Sequence, residues 1–162
     1  MTPMMPDRPC WVSTIGLFII NFGTLDLHVQ DYLETHLPPE EFAKFKNRHF
    51  RERIARIQEH ATRANHATEK KQAIEQFFVR LEPIRELRNH IAHGILRMTL
   101  AEDQKTLAMT LSLPRDLDGS ASPDARHLTF EELLSALTAL TALIEEFEKL
   151  FGNWVTDVDV RF

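Results

Sequence analysis

Between Ala67 and Gly94 the apolar residues Ile74, Phe77, Phe78, Leu81, Ile84, Leu87 and Ile91 recur three and four positions apart. Only a helix gives that spacing one continuous stripe, and a stripe of this length needs another apolar surface to cover it. The chain is therefore expected to pack helix on helix. Gly94 offers a C-terminal cap, and Pro83 is expected to kink the helix.

The same period recurs elsewhere. Ile15, Phe18, Ile19, Phe22, Leu25, Val29, Tyr32 and Leu33 predict a first helix over roughly 14–36, with Ser13 or Thr14 as its N-cap. Pro38 and Pro39 end it, and Pro39 suits the first turn of a second helix, expected over about 40–64. That second helix is expected to bury Phe42, Phe45, His49, Ile54 and Ile57. Thr129 and Glu132 form a capping-box pattern ahead of a last helix carrying Phe130, Leu133, Leu134, Leu137, Leu140, Ile144, Phe147, Leu150 and Phe151, with Gly152 as its stop.

After Gly94 the period changes to two. Leu96, Met98 and Leu100, then Leu107, Met109, Leu111 and Leu113, alternate with other residues on either side of the polar turn Glu102–Lys105. A β-hairpin follows from that alternation, with its apolar face turned to the helices or to a partner chain. Residues 114–128 read as a loop and 153–162 as a tail that docks or adds a short strand. The expected fold class is mainly α, a four-helix up-down bundle with a β-hairpin between the third and fourth helices.

At 162 residues the chain is expected to form one domain, with its core over about 14–151. The lone Cys10 cannot make an internal disulfide, so a reducing, cytoplasmic setting is expected. No secretory leader and no membrane span are expected, since Gly16 and Asn21 interrupt the apolar run Ile15–Phe22, which is short of the ~20 residues a span needs. A net charge of −5 argues against a general coat for nucleic acid, because such binding rests on cation density. Lys44, Lys46, Arg48, Arg51, Arg53, Arg56 and Arg63 nevertheless concentrate in the second helix. Two readings of them stay open: a solvated face partly neutralised by Glu52 and Glu59, or an RNA-phosphate surface for which Lys44, Arg48 and Arg51 are the candidates.

The segment richest in chemistry is Arg88-Asn89-His90-Ile91-Ala92-His93-Gly94, which closes the third helix. At 100° per residue Arg85, Arg88, Asn89 and His93 fall within an arc of about 140°, beside the apolar stripe. An imidazole in the last turn is favoured as a cation by the carbonyl end of the helix and opposed by Arg88, a balance expected to set its titration near neutrality. Such a group transfers protons, and a neighbouring guanidinium holds a phosphate and stabilises charge on a pentacoordinate phosphorus. A structural alternative stays open, with Arg88 paired to a carboxylate such as Glu82 or Asp26 and His93 capping carbonyls.

This run resembles the signature of the HEPN superfamily, the higher-eukaryote and prokaryote nucleotide-binding domain, in which Arg is followed after four to six residues by His, often with Asn directly after the Arg. Arg53 with His60 and Arg85 with His90 share the bare spacing, but only Arg88 has the Asn beside it and the His at the helix end. The resemblance implies a homodimer in which two motifs face each other across a two-fold axis. The implied activity is a metal-independent endoribonuclease, the toxin of a toxin–antitoxin or phage-defence system, acting on RNA with no cofactor. By position, Arg88 would hold the scissile phosphate, Asn89 would orient base or phosphate, and His93 would move protons at the ribose oxygens. Asp26 and Arg85 are the supporting candidates.

A second function remains open, a noncatalytic HEPN-like dimer that binds a nucleotide or pairs with an antitoxin or nucleotidyltransferase. Metal binding through His90 and His93, with His49, His60 or His66, lacks a completing ligand set. Cys10 has no base nearby in sequence, and no Gly-rich phosphate loop is present, so neither a thiol nucleophile nor a nucleoside-triphosphate hydrolase is expected.

Overall fold

A computed structural model describes residues 10–63, 67–93, 95–100, 107–112 and 126–152, with 95–100, 107–112 and 126 as backbone. The protein is mainly helical. Its elements are α1 (Trp11–His36), α2 (Pro39–Phe45), α3 (Phe50–Arg63), α4 (Thr68–His93), β1 (Ile95–Leu100), β2 (Leu107–Ser112), β3 (Arg126–Leu128) and α5 (Phe130–Phe151).

The chain divides into two compact units, Met1–Ile20 with Ile84–Ala139 and Asn21–Pro83 with Leu140–Phe162. In the first unit the buried residues include Trp11, Phe18, Ile84, Leu87, Ile91, Leu128 and Leu133. Trp11 meets Phe130 edge-on with ring centroids 5.2 Å apart, an arrangement that suits the ring quadrupoles. α1 begins earlier than Ser13 or Thr14 would have it. The Cys10 carbonyl accepts both the Thr14 amide and the Thr14 hydroxyl, which puts Thr14 inside the first turn and not at the cap.

β1 and β2 pair antiparallel, setting Leu96 opposite Leu111, Met98 opposite Met109 and Leu100 opposite Leu107. The expectation of which way these side chains face, and the turn at 101–106, lie outside the described residues, as do the cap at Gly94 and the tail 153–162. β3 corrects the reading of 114–128 as loop throughout, since Arg126–Leu128 adds a third strand beside β2. Three residues are too few to carry a visible alternation. Leu128 is nonetheless buried.

In the second unit the expected single helix over 40–64 is two. α2 ends at Phe45, where the Arg48 amide bonds back to the Phe45 carbonyl, and α3 starts afresh because the Glu52 carboxylate accepts the His49 amide at 3.2 Å, half of a capping box. The buried stripe changes accordingly. α2 buries none of its residues, Phe42, Phe45 and Ile54 are half-buried, His49 is exposed, and Arg53, Ile57 and Ala61 are the buried positions of α3. Around them lie Leu25, Val29, Leu33, Phe77, Leu140 and Phe147, all essentially without exposure. α5 starts as its sequence pattern predicts: the Thr129 amide donates to Glu132 at 2.7 Å and the Glu132 amide donates to the Thr129 hydroxyl at 3.2 Å.

By length and composition α1 can cross a membrane: it has 26 residues, and its most apolar window has a mean hydropathy of 1.4. The interruptions at Gly16 and Asn21 are outweighed in that mean by the Ile, Leu and Phe residues around them. Phe18, Leu25, Val29 and Leu33 on one side of the same helix are fully buried.

Candidate functional site

α4 stays helical to His93, so the backbone carries Arg85, Arg88, Asn89 and His93 in the helical relation on which the sequence argument depends. Ile84, Leu87 and Ile91 are buried on one side of this last stretch. Arg85, Arg88 and Asn89 are half-buried beside them, and His93 is exposed as the final residue of the helix. The apolar side thus anchors the turn while the polar side reaches solvent. Arg88 Nη1 lies 3.4 Å from Asn89 Oδ1, a long contact that places the guanidinium and the carboxamide next to each other.

His90 behaves differently from His93. Its Nδ1 donates to the Glu86 carbonyl at 2.8 Å, one turn back along the same helix.

The other sequence candidates belong to the second unit. Asp26 sits opposite Arg53, with Oδ1 2.5 Å from the guanidinium Nη2. Arg53, expected among the residues of a solvated face, is only 7% exposed, and its Nε is buried with no hydrogen-bond partner among the described residues. Lys44 and Arg51 are exposed. Arg48 lies 3.7 Å from Glu52 and bonds the Lys44 carbonyl through Nε at 3.4 Å. Arg56 is held between Glu41 and Glu59, and Arg63 also reaches Glu59. These contacts hold the Glu59 carboxyl below its ordinary range, through the hydrogen bond from Arg56 first and the charge of Arg63 next.

Two arrangements escaped the sequence reading. Cys10 is exposed at the start of α1, its Sγ 3.0 Å from the Ser13 hydroxyl. That hydrogen bond first, and the Ser13 backbone next, lower the thiol from its usual value. The signal was the Ser three residues on, at the beginning of a helix. In the second unit Tyr32 stacks on His36 at 4.1 Å and shares a 2.8 Å hydrogen bond with His60 Nδ1, while His36 Nδ1 donates to the Tyr32 carbonyl at 2.9 Å. Burial raises the Tyr32 phenol above its ordinary pKa.

A cleft of about 190 Å³ in the second unit, lined by Gln58, Thr62, Thr68, Lys71, Gln72 and Phe78 among others, includes none of the candidate site residues. Among the described residues no three His, Cys, Asp or Glu side chains gather as a metal site would require. Comparison with protein-family models, curated proteins and solved structures finds no match to this chain.

Proposed function

We propose that the protein is a metal-independent endoribonuclease of HEPN type, acting as a homodimer in the cytoplasm, as the toxin of a toxin–antitoxin or phage-defence system. The reading takes the fold as an up-down four-helix bundle in which α2 and α3 together stand for one helix and β1 and β2 form the hairpin. The observation that carries it is the end of α4, where Arg85, Arg88 and Asn89 are half-buried beside an anchored apolar face and His93 is exposed at the terminus.

In the proposed reaction Arg88 holds the phosphate between two nucleotides and Asn89 orients it. The 2′-hydroxyl oxygen attacks phosphorus, its proton passes to a base, and the 5′-oxygen leaves with a proton, giving a 2′,3′-cyclic phosphate and a 5′-hydroxyl. His93 is the group that moves protons at these oxygens. Arg88 stabilises the charge that builds on the phosphoryl oxygens, with Arg85 beside it. The test is cleavage of single-stranded RNA in EDTA with identification of the ends. Cyclic-phosphate products, and DNA left intact, are expected; a requirement for a divalent metal would sink the proposal.

One observation favours a second reading, a noncatalytic dimeric module that binds a nucleotide, an antitoxin or a nucleotidyltransferase. Arg48, Arg53, Arg56 and Arg63 are engaged by Glu52, Asp26, Glu41 and Glu59, so of the three RNA candidates only Lys44 and Arg51 add to a cationic surface outside these ion pairs. Saturable binding of an oligonucleotide with no cleavage under any condition would decide for this module.

A further inference from the structure

α1 is apolar on two opposite sides. One side is the buried row Phe18, Phe22, Leu25, Val29 and Leu33. On the other, Val12 is 81% exposed, Ile20 64% and Leu27 57%, with Ile19 also exposed at its edge. At 100° per residue Val12, Gly16, Ile20, Gly23 and Leu27 share an arc of about 80° that points away from the buried row. No charged residue occurs from Trp11 to Leu25, in a chain that is 27% charged. A helix with two opposite apolar sides is normally covered on both.

The order of residues along this stripe selects its occupant. Val12 and Leu27, Gly16 and Gly23, and Ile19 and Ile20 are three pairs, each placed symmetrically about the midpoint between Ile19 and Ile20. When two identical helices pack antiparallel about a two-fold axis through that midpoint, each member of a pair meets the other member on the opposite copy. Glycine then faces glycine, and large apolar residues face large apolar residues. A Cβ added at Gly16 or Gly23 would meet nothing within 4 Å, so both positions are open notches that let two backbones approach.

A lipid surface fits less well. α1 has no Lys or Arg to meet headgroups and carries Asp26, Asp31 and Glu34, within a protein of net charge −5. Val12, Ile20 and Leu27, with Ile19 at their edge, present about 400 Å² per protomer, or about 800 Å² across a two-fold, the size of a small, reversible interface.

We infer that α1 is the seam of the homodimer, packed antiparallel on α1 of a second copy with Ile19 and Ile20 at the two-fold axis. This rests on the dimeric reading above and adds which surface makes the dimer. The experiment is light scattering of the full chain at tens of micromolar, with circular dichroism to check folding. Wild type is expected to be a dimer, and Ile20→Lys and Val12→Lys are expected to be folded monomers. The double variant Val12→Lys with Leu27→Glu is expected to regain the dimer, because position 12 of one copy then meets an opposite charge at position 27 of the other. Should either lysine variant not fold, the other carries the test. A dimer that persists in both lysine variants overturns the seam and leaves dimerisation standing. A monomeric wild type overturns both, and flotation of that monomer with zwitterionic phosphatidylcholine vesicles, lost in Ile20→Lys, would give the face to lipid. Failure of Val12→Lys with Leu27→Glu to recover overturns the antiparallel pairing.

Discussion

Arg53 and Arg88 carry the same side chain on two helices, and the protein treats them in opposite ways. Arg53 is buried, with the Asp26 carboxylate 2.5 Å from its guanidinium. Arg88 is half-buried next to a carboxamide, on a turn whose other side is anchored by Leu87 and Ile91. A guanidinium taken out of water against a carboxylate is committed to the fold, since separating the pair would strand a charge. Arg88 keeps part of its surface in solvent on an anchored turn.

The largest effects expected from this contrast concern activity. His93→Ala and Arg88→Ala should each lower the rate of RNA cleavage roughly a hundred- to ten-thousand-fold, the range that positioned acid–base groups supply. Both should unfold within about 0.5 kcal/mol of wild type, as substitutions outside a packed core do. His90→Ala should change the rate far less, its ring being spent on the Glu86 carbonyl. Equal rates for wild type and His93→Ala in matched assays would remove the chemical half of the comparison.

Next comes the structural half. Arg53→Ala removes a buried guanidinium from beside an Asp26 side chain that water partly reaches, and should cost about 1.5–3 kcal/mol in denaturant unfolding, the worth of a hydrogen bond to a charged group. Replacing both partners together, Arg53→Met with Asp26→Leu, should recover most of that loss. A single variant as stable as wild type would mean that Arg53 is no more committed than Arg88.

The elements legible from the sequence were those whose signal is local. α4 and α5 follow from apolar spacing, and the start of α5 follows from Thr129 and Glu132. What escaped depends on a contact made at a distance or on a side-chain rotamer. No Gly or Pro separates Phe45 from Phe50, so the break between α2 and α3 was hidden in the reach of Glu52 back to His49. Burial of Arg53 depends on a carboxylate from α1, and periodicity assigns any arginine to the surface. At the candidate site the placement of Arg85, Arg88, Asn89 and His93 on one side of the helix was readable from 3.6-residue geometry. The different use of His90 was not, because it is a choice of rotamer.

A smaller effect tests whether the first unit depends on local signals to the same degree. Thr129→Ala removes the hydroxyl that accepts the Glu132 amide and should cost about 1 kcal/mol, the usual worth of an N-cap. A thermal melt unchanged from wild type would show that packing of α5 makes its cap dispensable.

An effect no larger separates pairing by charge from pairing by a neutral hydrogen bond, and it lies in the second unit with Arg53. Tyr32 is buried, and while the His60 imidazole is neutral its phenol donates to Nδ1. Tyr32→Phe keeps the ring contacts with His36 and Phe151 but loses that bond, for an expected cost of about 1 kcal/mol near neutral pH. The pH dependence has a definite sign. Burial raises the folded-state pKa of the phenol, so the folded protein holds this proton more tightly than the unfolded chain does. The stability linked to it is fully present below the unfolded value of about 10 and is lost as pH rises from there through the folded value. Wild type should therefore lose stability above about pH 10 faster than Tyr32→Phe, and the gap between them should close. Because the chain contains one tyrosine, ultraviolet titration of phenolate in the folded protein reads this group without interference. A phenol that ionises at its ordinary pKa would mean that water reaches Tyr32, and the hydrogen bond to His60 would then contribute little.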